Sequence, residues 1–275
     1  MAKIDSLFKM MKQQGASDLH ISTGAPPLFR LHGEMEKLNY PPLSDQQARS
    51  LVFEILTKEQ REEFEEKLDL DFAYSLPEVA RFRGNLLETH RGVAAVFRII
   101  PSKILTADQL GLPEGGRKLT RLKKGLVLVT GPTGSGKTTT LYSSLKHLAK
   151  PEVNVCTIED PIEMVVPDFN QMQVQNKIDL NFADGVRALL RQDPDTILIG
   201  EIRDRETIEI AVKAALTGHR VFSTLHTSDA AGTITRILGL GVEPVLLGSS
   251  LLLILSRRLP RRLCDRCKEP LARPT

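Results

Sequence analysis

The chain of 275 residues carries 37 basic and 34 acidic side chains, a net charge of +3 that excludes the broad basic surface of a general nucleic-acid binder. Three cysteines and no signal-peptide pattern at the start exclude a secreted, disulfide-stapled design and fit a reducing cytosol. At this length two domains are expected.

In chain order, residues 1–14 read as a short amphipathic helix. Ser44 with Gln47, and Thr57 with Gln60, each fit a capping box, so a helix is expected to start at each. Residues 59–71 hold seven acids against Arg61 and Lys67, the composition of a solvated helix face rather than an acidic docking patch. Residues 72–74, 80–88 and 92–100 alternate like strands, which puts Arg81 and Arg83 on one face. Sheet-surface charges and groups aimed at phosphate are both open readings of that pair. The Pro/Gly-rich residues 101–116 then read as a linker.

Beyond it, short Val/Ile/Leu runs at 126–130, 153–158, 196–200 and 221–224 alternate with helical patterns at 138–148, 182–191, 205–216 and 230–240. That order indicates a parallel sheet covered on both faces. The most apolar stretch, 244–255, is too short for a membrane span and reads as a buried helix. The domain expectation is 1–104, a linker at 105–120, 121–256, and a basic segment at 257–275.

Gly131, Pro132, Thr133, Gly134, Ser135, Gly136, Lys137 and Thr138 complete a G-x-x-x-x-G-K-[ST] loop between an expected strand and an expected helix. Its backbone N–H groups would converge on the phosphates of a nucleoside triphosphate. Lys137 would reach the β/γ oxygens and the Thr138 hydroxyl would ligate Mg²⁺; Thr139 joins the set as the next residue of the helix start.

Ligands of an open α/β sheet bind beyond the carboxyl ends of its strands. The polar residues there are Glu159, Asp160 and Glu163, then Glu201, Arg203 and Asp204, then His226. Phosphoanhydride hydrolysis needs an oriented water, a metal ion and cations against developing charge. Glu159, Glu163 and Glu201 compete for the water and Mg²⁺ roles; His226 is either a γ-phosphate sensor or a structural histidine.

With these residues the chain resembles the secretion ATPase superfamily of type II secretion and type IV pilus motors. Four boxes stand in order: the loop 131–138, the Asp box 157–163 (TIEDPIE), the Walker B segment 197–204 (ILIGEIRD) and the His box 223–227 (STLHT). The resemblance implies an α/β fold, a RecA-like P-loop NTPase sheet preceded by a smaller PAS-like α+β domain. It implies an ATPase using ATP and Mg²⁺, with Glu163 as catalytic carboxylate, Glu201 supporting Mg²⁺ or its water, and His226 reading nucleotide state. Arg81, Arg83 and Arg98 are expected to close over the phosphates. Partners implied are further copies of the chain in a homohexamer and an inner-membrane platform protein, with no nucleic acid, which places the protein in the cytoplasm at the inner membrane.

Residues 16–35 look like pilus retraction ATPases, whereas residues 173–267 look like secretion and pilus-extension ATPases. Cys264 and Cys267 form one C-x-x-C pair where such members carry two, so no complete zinc site is expected and the segment reads as shortened. The cluster Arg257, Arg258, Arg261, Arg262 and Arg266 reads as a subunit or partner interface.

Overall fold

The computed structural model describes residues 2–100, 104–112, 123–175, 178–260 and 263–269. Contacts divide the chain into two compact units, 1–103 and 104–275.

The first unit contains helix α1 (Ile4–Gln14), strands β1 (Asp18–Ser22), β2 (Leu28–Leu31) and β3 (Glu34–Lys37), helices α2 (Asp45–Phe53) and α3 (Lys58–Lys67), and strands β4 (Asp69–Leu76), β5 (Ala80–Thr89) and β6 (Gly92–Ile100). The strands form one antiparallel sheet in the order β3-β2-β1-β6-β5-β4. Alternation decides which face is buried: Leu70 and Phe72, Phe82 and Leu86, Val93, Ala95 and Phe97, and Leu19 and Ile21 all point to the core.

Helix α1 meets that face with Ile4, Leu7, Phe8 and Met11, one stripe at helical spacing. Phe8 stacks on Phe82 with ring centroids 4.1 Å apart and meets Phe97 edge-on at 5.1 Å. Buried Asp5 accepts a 2.8 Å hydrogen bond from the Tyr74 hydroxyl, whose pKa burial and the Asp5 charge push up to about 12.

Both expected capping boxes form: Ser44 Oγ accepts from the Gln47 amide at 3.3 Å, and Thr57 Oγ1 from the Gln60 amide at 3.3 Å. The acidic run becomes α3, which buries Phe64 and otherwise faces solvent with Lys58–Glu62 and Lys67–Glu63 pairs, and then enters β4. Three strands, β1 to β3, come from a stretch in which no strand was placed individually; β3 is wholly exposed and carries no alternation to find it by.

The second unit contains β7 (Gly125–Thr130), α4 (Lys137–Leu148), β8 (Val155–Glu159), β9 (Asn170–Gln173), α5 (Phe182–Leu189), β10 (Thr196–Ile199), α6 (Arg205–Leu216), β11 (Arg220–Leu225), α7 (Ala230–Gly239), α8 (Pro244–Ser250) and β12 (Leu251–Ser256). All its strand pairs are parallel, in the order β12-β7-β11-β10-β8-β9. Strands β7, β8 and β10 are buried throughout, which is why they read as continuous apolar runs.

One expectation is corrected. The apolar stretch before the arginine cluster is not one helix: α8 ends at Ser250, and residues 251–256 form β12, paired in parallel with β7. Periodicity cannot separate a short buried strand from a short buried helix, and an open edge of the sheet beside β7 decided it. Of the expected linker 105–120, residues 113–120 lie outside the described residues; before them Thr106 Oγ1 accepts from the Gln109 amide and Leu112 is buried.

Candidate nucleotide site

The loop after β7 is built around three glycines with positive φ: Gly131 at 134°, Gly134 at 80° and Gly136 at 82°. A Cβ at Gly131 would also stand 2.3 Å from the Arg257 carbonyl oxygen, so both conformation and space require glycine. Gly136 is the N-cap of α4, and no side chain caps the helix. The first-turn N–H groups of α4 therefore face the loop with the positive end of the helix dipole behind them.

Lys137 is 8% exposed, and its ammonium donates to the carbonyls of Gly131 at 2.8 Å and Pro132 at 3.1 Å. Burial lowers its pKa, and the negative charge of Glu201 opposes that shift. The Ser135 hydroxyl is buried and has no protein partner. An uncapped helix start, a glycine cradle, a buried ammonium and an orphaned hydroxyl converge here, which fits a phosphate chain.

The strand order places β11 between β7 and β10, and β11 binds the end of β10 through its hydroxyls. Ser223 Oγ donates to the Ile199 carbonyl and Thr224 Oγ1 to the Gly200 carbonyl, each at 2.8 Å. The Ile202 amide donates back to the Thr224 carbonyl at 3.1 Å. This lacing fixes Glu201, whose side chain is 14% exposed: it pairs with Arg203, and its Oε2 lies 3.4 Å from His226 Nε2. Lys137, Glu201 and His226, three of the expected site residues, thus belong to one electrostatic cluster. Asp204 instead caps α6, accepting from the Thr207 amide at 2.8 Å.

Glu159 is the last residue of β8 rather than the residue after it. It is buried and accepts from Tyr142 at 2.6 Å, Thr157 at 2.6 Å and Gln171 at 3.3 Å. Burial pushes its carboxyl up, against those hydrogen bonds, and burial together with the Glu159 charge pushes the Tyr142 phenol up. Glu163, in the following loop, is half-buried, and its charge contributes to the upward shifts of both groups. Of the three competing carboxylates, Glu159 is thereby tied into a packed network that feels the Glu163 charge, while Glu201 belongs to the cluster with Lys137, Arg203 and His226.

Arg81, Arg83 and Arg98 lie in the first unit and come together with one another. Arg83 and Arg98 are cross-strand partners on β5 and β6, and Arg98 opposes Asp18 of β1. Asp18, nearly fully buried, accepts from Arg98 at 2.8 Å and lies 3.6 Å from Arg30, while Arg83 lies 3.9 Å from Asp71. The Arg81 Nε is buried without a partner. Burial pushes the Asp18 carboxyl up, but hydrogen bonds from Ser17 and Arg98 and the Arg98 charge outweigh it, so its pKa falls below the usual 3.8.

The unfolded chain binds the Asp18 proton at higher pH than the folded chain does, so this contribution to stability is complete above about pH 4 and is lost as pH falls through the lowered value. Asp18→Asn is expected to flatten the acid limb of the first unit's unfolding curve, measured by circular dichroism against pH. An unchanged acid limb would show that the pair contributes nothing.

The family described as type II/IV secretion system protein matches residues 2–274. The chain belongs to that family. Among similar secretion-family proteins, the type IV pilus retraction ATPase PilT of Pseudomonas aeruginosa is 48% identical over 86% of this chain and 70% of its own. The type IV pilus assembly ATPase TfpB of Acinetobacter baylyi is 46% identical over 96% of this chain and 47% of its own. The chain thus spans about half the length of that assembly ATPase, and also about half of the type II secretion system protein E of Pseudomonas aeruginosa, 44% identical over 94% of this chain and 53% of its own. A crystal structure of the retraction motor PilT with bound ADP superposes with a TM-score of 0.86, at 38% identity, covering 94% of this chain and 78% of that one. The fold is accordingly that of the secretion ATPases, a small amino-terminal domain and a P-loop domain.

Sequence reasoning did not single out Tyr142 or Gln171, and it read Arg257 only as part of a subunit or partner interface. Gln171 lies on β9, whose sequence NQMQ carries no strand pattern, and it joins the Glu159 network at 3.3 Å. Arg257 directly follows a parallel strand, the same position that singled out Glu201 and His226; misreading β12 as helix concealed it. Arg258 donates to the Ser228 carbonyl at 3.3 Å, and Arg266 is exposed. Arg261 and Arg262 lie outside the described residues. Cys264 and Cys267 are exposed free thiols, and Cys156 is buried in β8.

Proposed function

We propose that this chain is an ATP-hydrolysing motor that powers a pilus or secretion machine, with its chemistry at the loop of the second unit. The observation that carries the reading is the junction of the glycine cradle and Lys137 with Glu201, itself paired to Arg203 and close to His226. A site for phosphoryl transfer supplies fixed charge and position rather than covalent chemistry, and these residues supply both.

In this reading the amides of residues 134–138 and Lys137 bind the phosphates, with Thr139 in the same first turn. Thr138 and Glu201 would hold Mg²⁺, which when bound would supply charge neutralisation at the phosphates. Mg²⁺ keeps most of its waters and needs few protein ligands, so one hydroxyl and one carboxylate suit it. Glu163 orients the attacking water, whose oxygen bonds to the γ-phosphorus as the bond from that phosphorus to the bridging oxygen breaks; the proton of the water passes to the departing phosphate, and ADP and phosphate leave. His226 reports the state of the phosphates through its contact with Glu201. A homohexameric ring and attachment to an inner-membrane platform protein from the cytoplasmic side complete the proposal, supported by the likeness to pilus and secretion ATPases. Among the described residues no helix is long and apolar enough to cross a membrane, so a platform protein would provide that attachment.

Steady-state ATPase activity, with oligomer mass read on the same samples, tests the reading. Turnover is expected to rise as the oligomer forms. Glu163→Ala is expected to lower kcat about a hundredfold while ADP still binds, the loss typical of removing a base that positions water. A Glu163→Ala chain with the parental rate would remove Glu163 from the chemistry.

A further inference from the structure

Arg257 continues the β12–β7 ladder one residue past Ser256, its amide donating to the Thr130 carbonyl at 2.9 Å. Its side chain then lies along the phosphate loop. A Cβ on Gly136 would stand 3.6 Å from Arg257 Nη1, which is 3.5 Å from the Gly136 carbonyl and donates to the Thr140 hydroxyl. The guanidinium is half-buried. Arg203 pairs with Glu201, and Arg187 with Asp184 and Glu206; among the described residues no carboxylate pairs with Arg257. Burial pushes its pKa down.

Electrostatics make this placement unfavourable as it stands. A cation at a helix N-terminus opposes the dipole, and here the uncapped start of α4 and the Lys137 ammonium already concentrate positive charge. The buried, unpartnered Ser135 hydroxyl lies in the same loop. Glu201 offsets part of the charge on Lys137, and an anion joining the loop would compensate the rest.

We propose that Arg257 binds the nucleotide directly and in cis, turning from Thr140 onto the polyphosphate at the Gly136 end of the loop, across from Lys137. The inference rests on the loop being the ATP site. A planar guanidinium suits two neighbouring phosphate oxygens, and such charge-assisted bonds are the stronger kind.

The test is ADP affinity, by calorimetry on the full chain, for Arg257→Gln, Arg257→Lys and Lys137→Ala. Glutamine keeps a donor for Thr140 and the Gly136 carbonyl but removes the charge. Arg257→Gln is expected to weaken ADP binding about tenfold, Arg257→Lys to recover part of it, and the salt dependence of ADP affinity to become shallower in the glutamine variant. With ATP, the rise in KM is expected to exceed any fall in kcat. Parental ADP affinity in Arg257→Gln would overturn the proposal. So would equal losses in the Gln and Lys variants together with a lowered unfolding temperature without nucleotide, which would make Arg257 a strand anchor. If Lys137→Ala also binds ADP normally, the loop itself has been misassigned; if only Lys137→Ala loses binding, the loop stands and the role of Arg257 falls.

Discussion

Lys137→Ala is expected to lose ADP binding by at least about a hundredfold and kcat/KM by at least about a thousandfold, while the nucleotide-free chain stays folded. The ammonium is buried, and its bonds are to two carbonyls of its own loop, Gly131 and Pro132. Both bonds are local to the loop, so truncation removes charge from the phosphate site itself. Its lowered pKa shows that burial costs the charged form, a cost that Glu201 partly offsets. The measurements are calorimetric ADP affinity, ATPase rate and the unfolding temperature without nucleotide. A variant that hydrolyses ATP at the parental rate would place the chemistry elsewhere in the chain.

Glu201→Gln is expected to separate binding from turnover. The amide fills the same volume between Arg203 and His226 but carries no charge for either, or for the metal. ADP affinity near neutral pH is expected to change by less than about threefold, because the glycine cradle and Lys137 remain, whereas kcat falls about 10²–10³-fold, the loss typical of one preorganised electrostatic group.

A second signature follows from Lys137. Its depressed pKa means that its charge is lost as pH rises, and without Glu201 the depression deepens. The alkaline loss of ADP affinity should therefore begin at lower pH in Glu201→Gln than in the parent. Identical alkaline limbs in the two proteins would break the proposed coupling between these residues. A kcat unchanged in the variant would remove Glu201 from the metal and water roles.

The two units differ in how legible they were. In the second, β7, β8 and β10 are buried along their whole length, so each wrote itself as an unbroken apolar run, and the polar residues at their carboxyl ends were the site candidates. In the first, the capping boxes at Ser44 and Thr57 fixed two helix starts from local chemistry alone. Strands β2 and β3 were hidden because short strands with exposed faces carry little alternation.

Glu159 shows the limit at the site itself. From its position it ranked with Glu163 and Glu201, but the hydroxyl of Tyr142, on α4, and the amide of Gln171, on the edge strand β9, both donate to it. Neither neighbour is near Glu159 in sequence. The arginine row across β2, β1, β6 and β5 has the same origin: strand register sets Asp18 between Arg30 and Arg98, across 80 residues of chain.

The phosphate loop, the parallel α/β core and the set of strand-end residues were legible in the chain alone, because each follows from local backbone freedom, burial period or the position after an apolar run. Which of those residues stand side by side came from the folded sheet. Sheet order put β11 beside β10 and laced Glu201 into place, and it put β12 beside β7 so that Arg257 reached Gly136 and Thr140 from more than a hundred residues away. Long-range strand pairing is set by the whole folded core, and no local pattern in the chain encodes it.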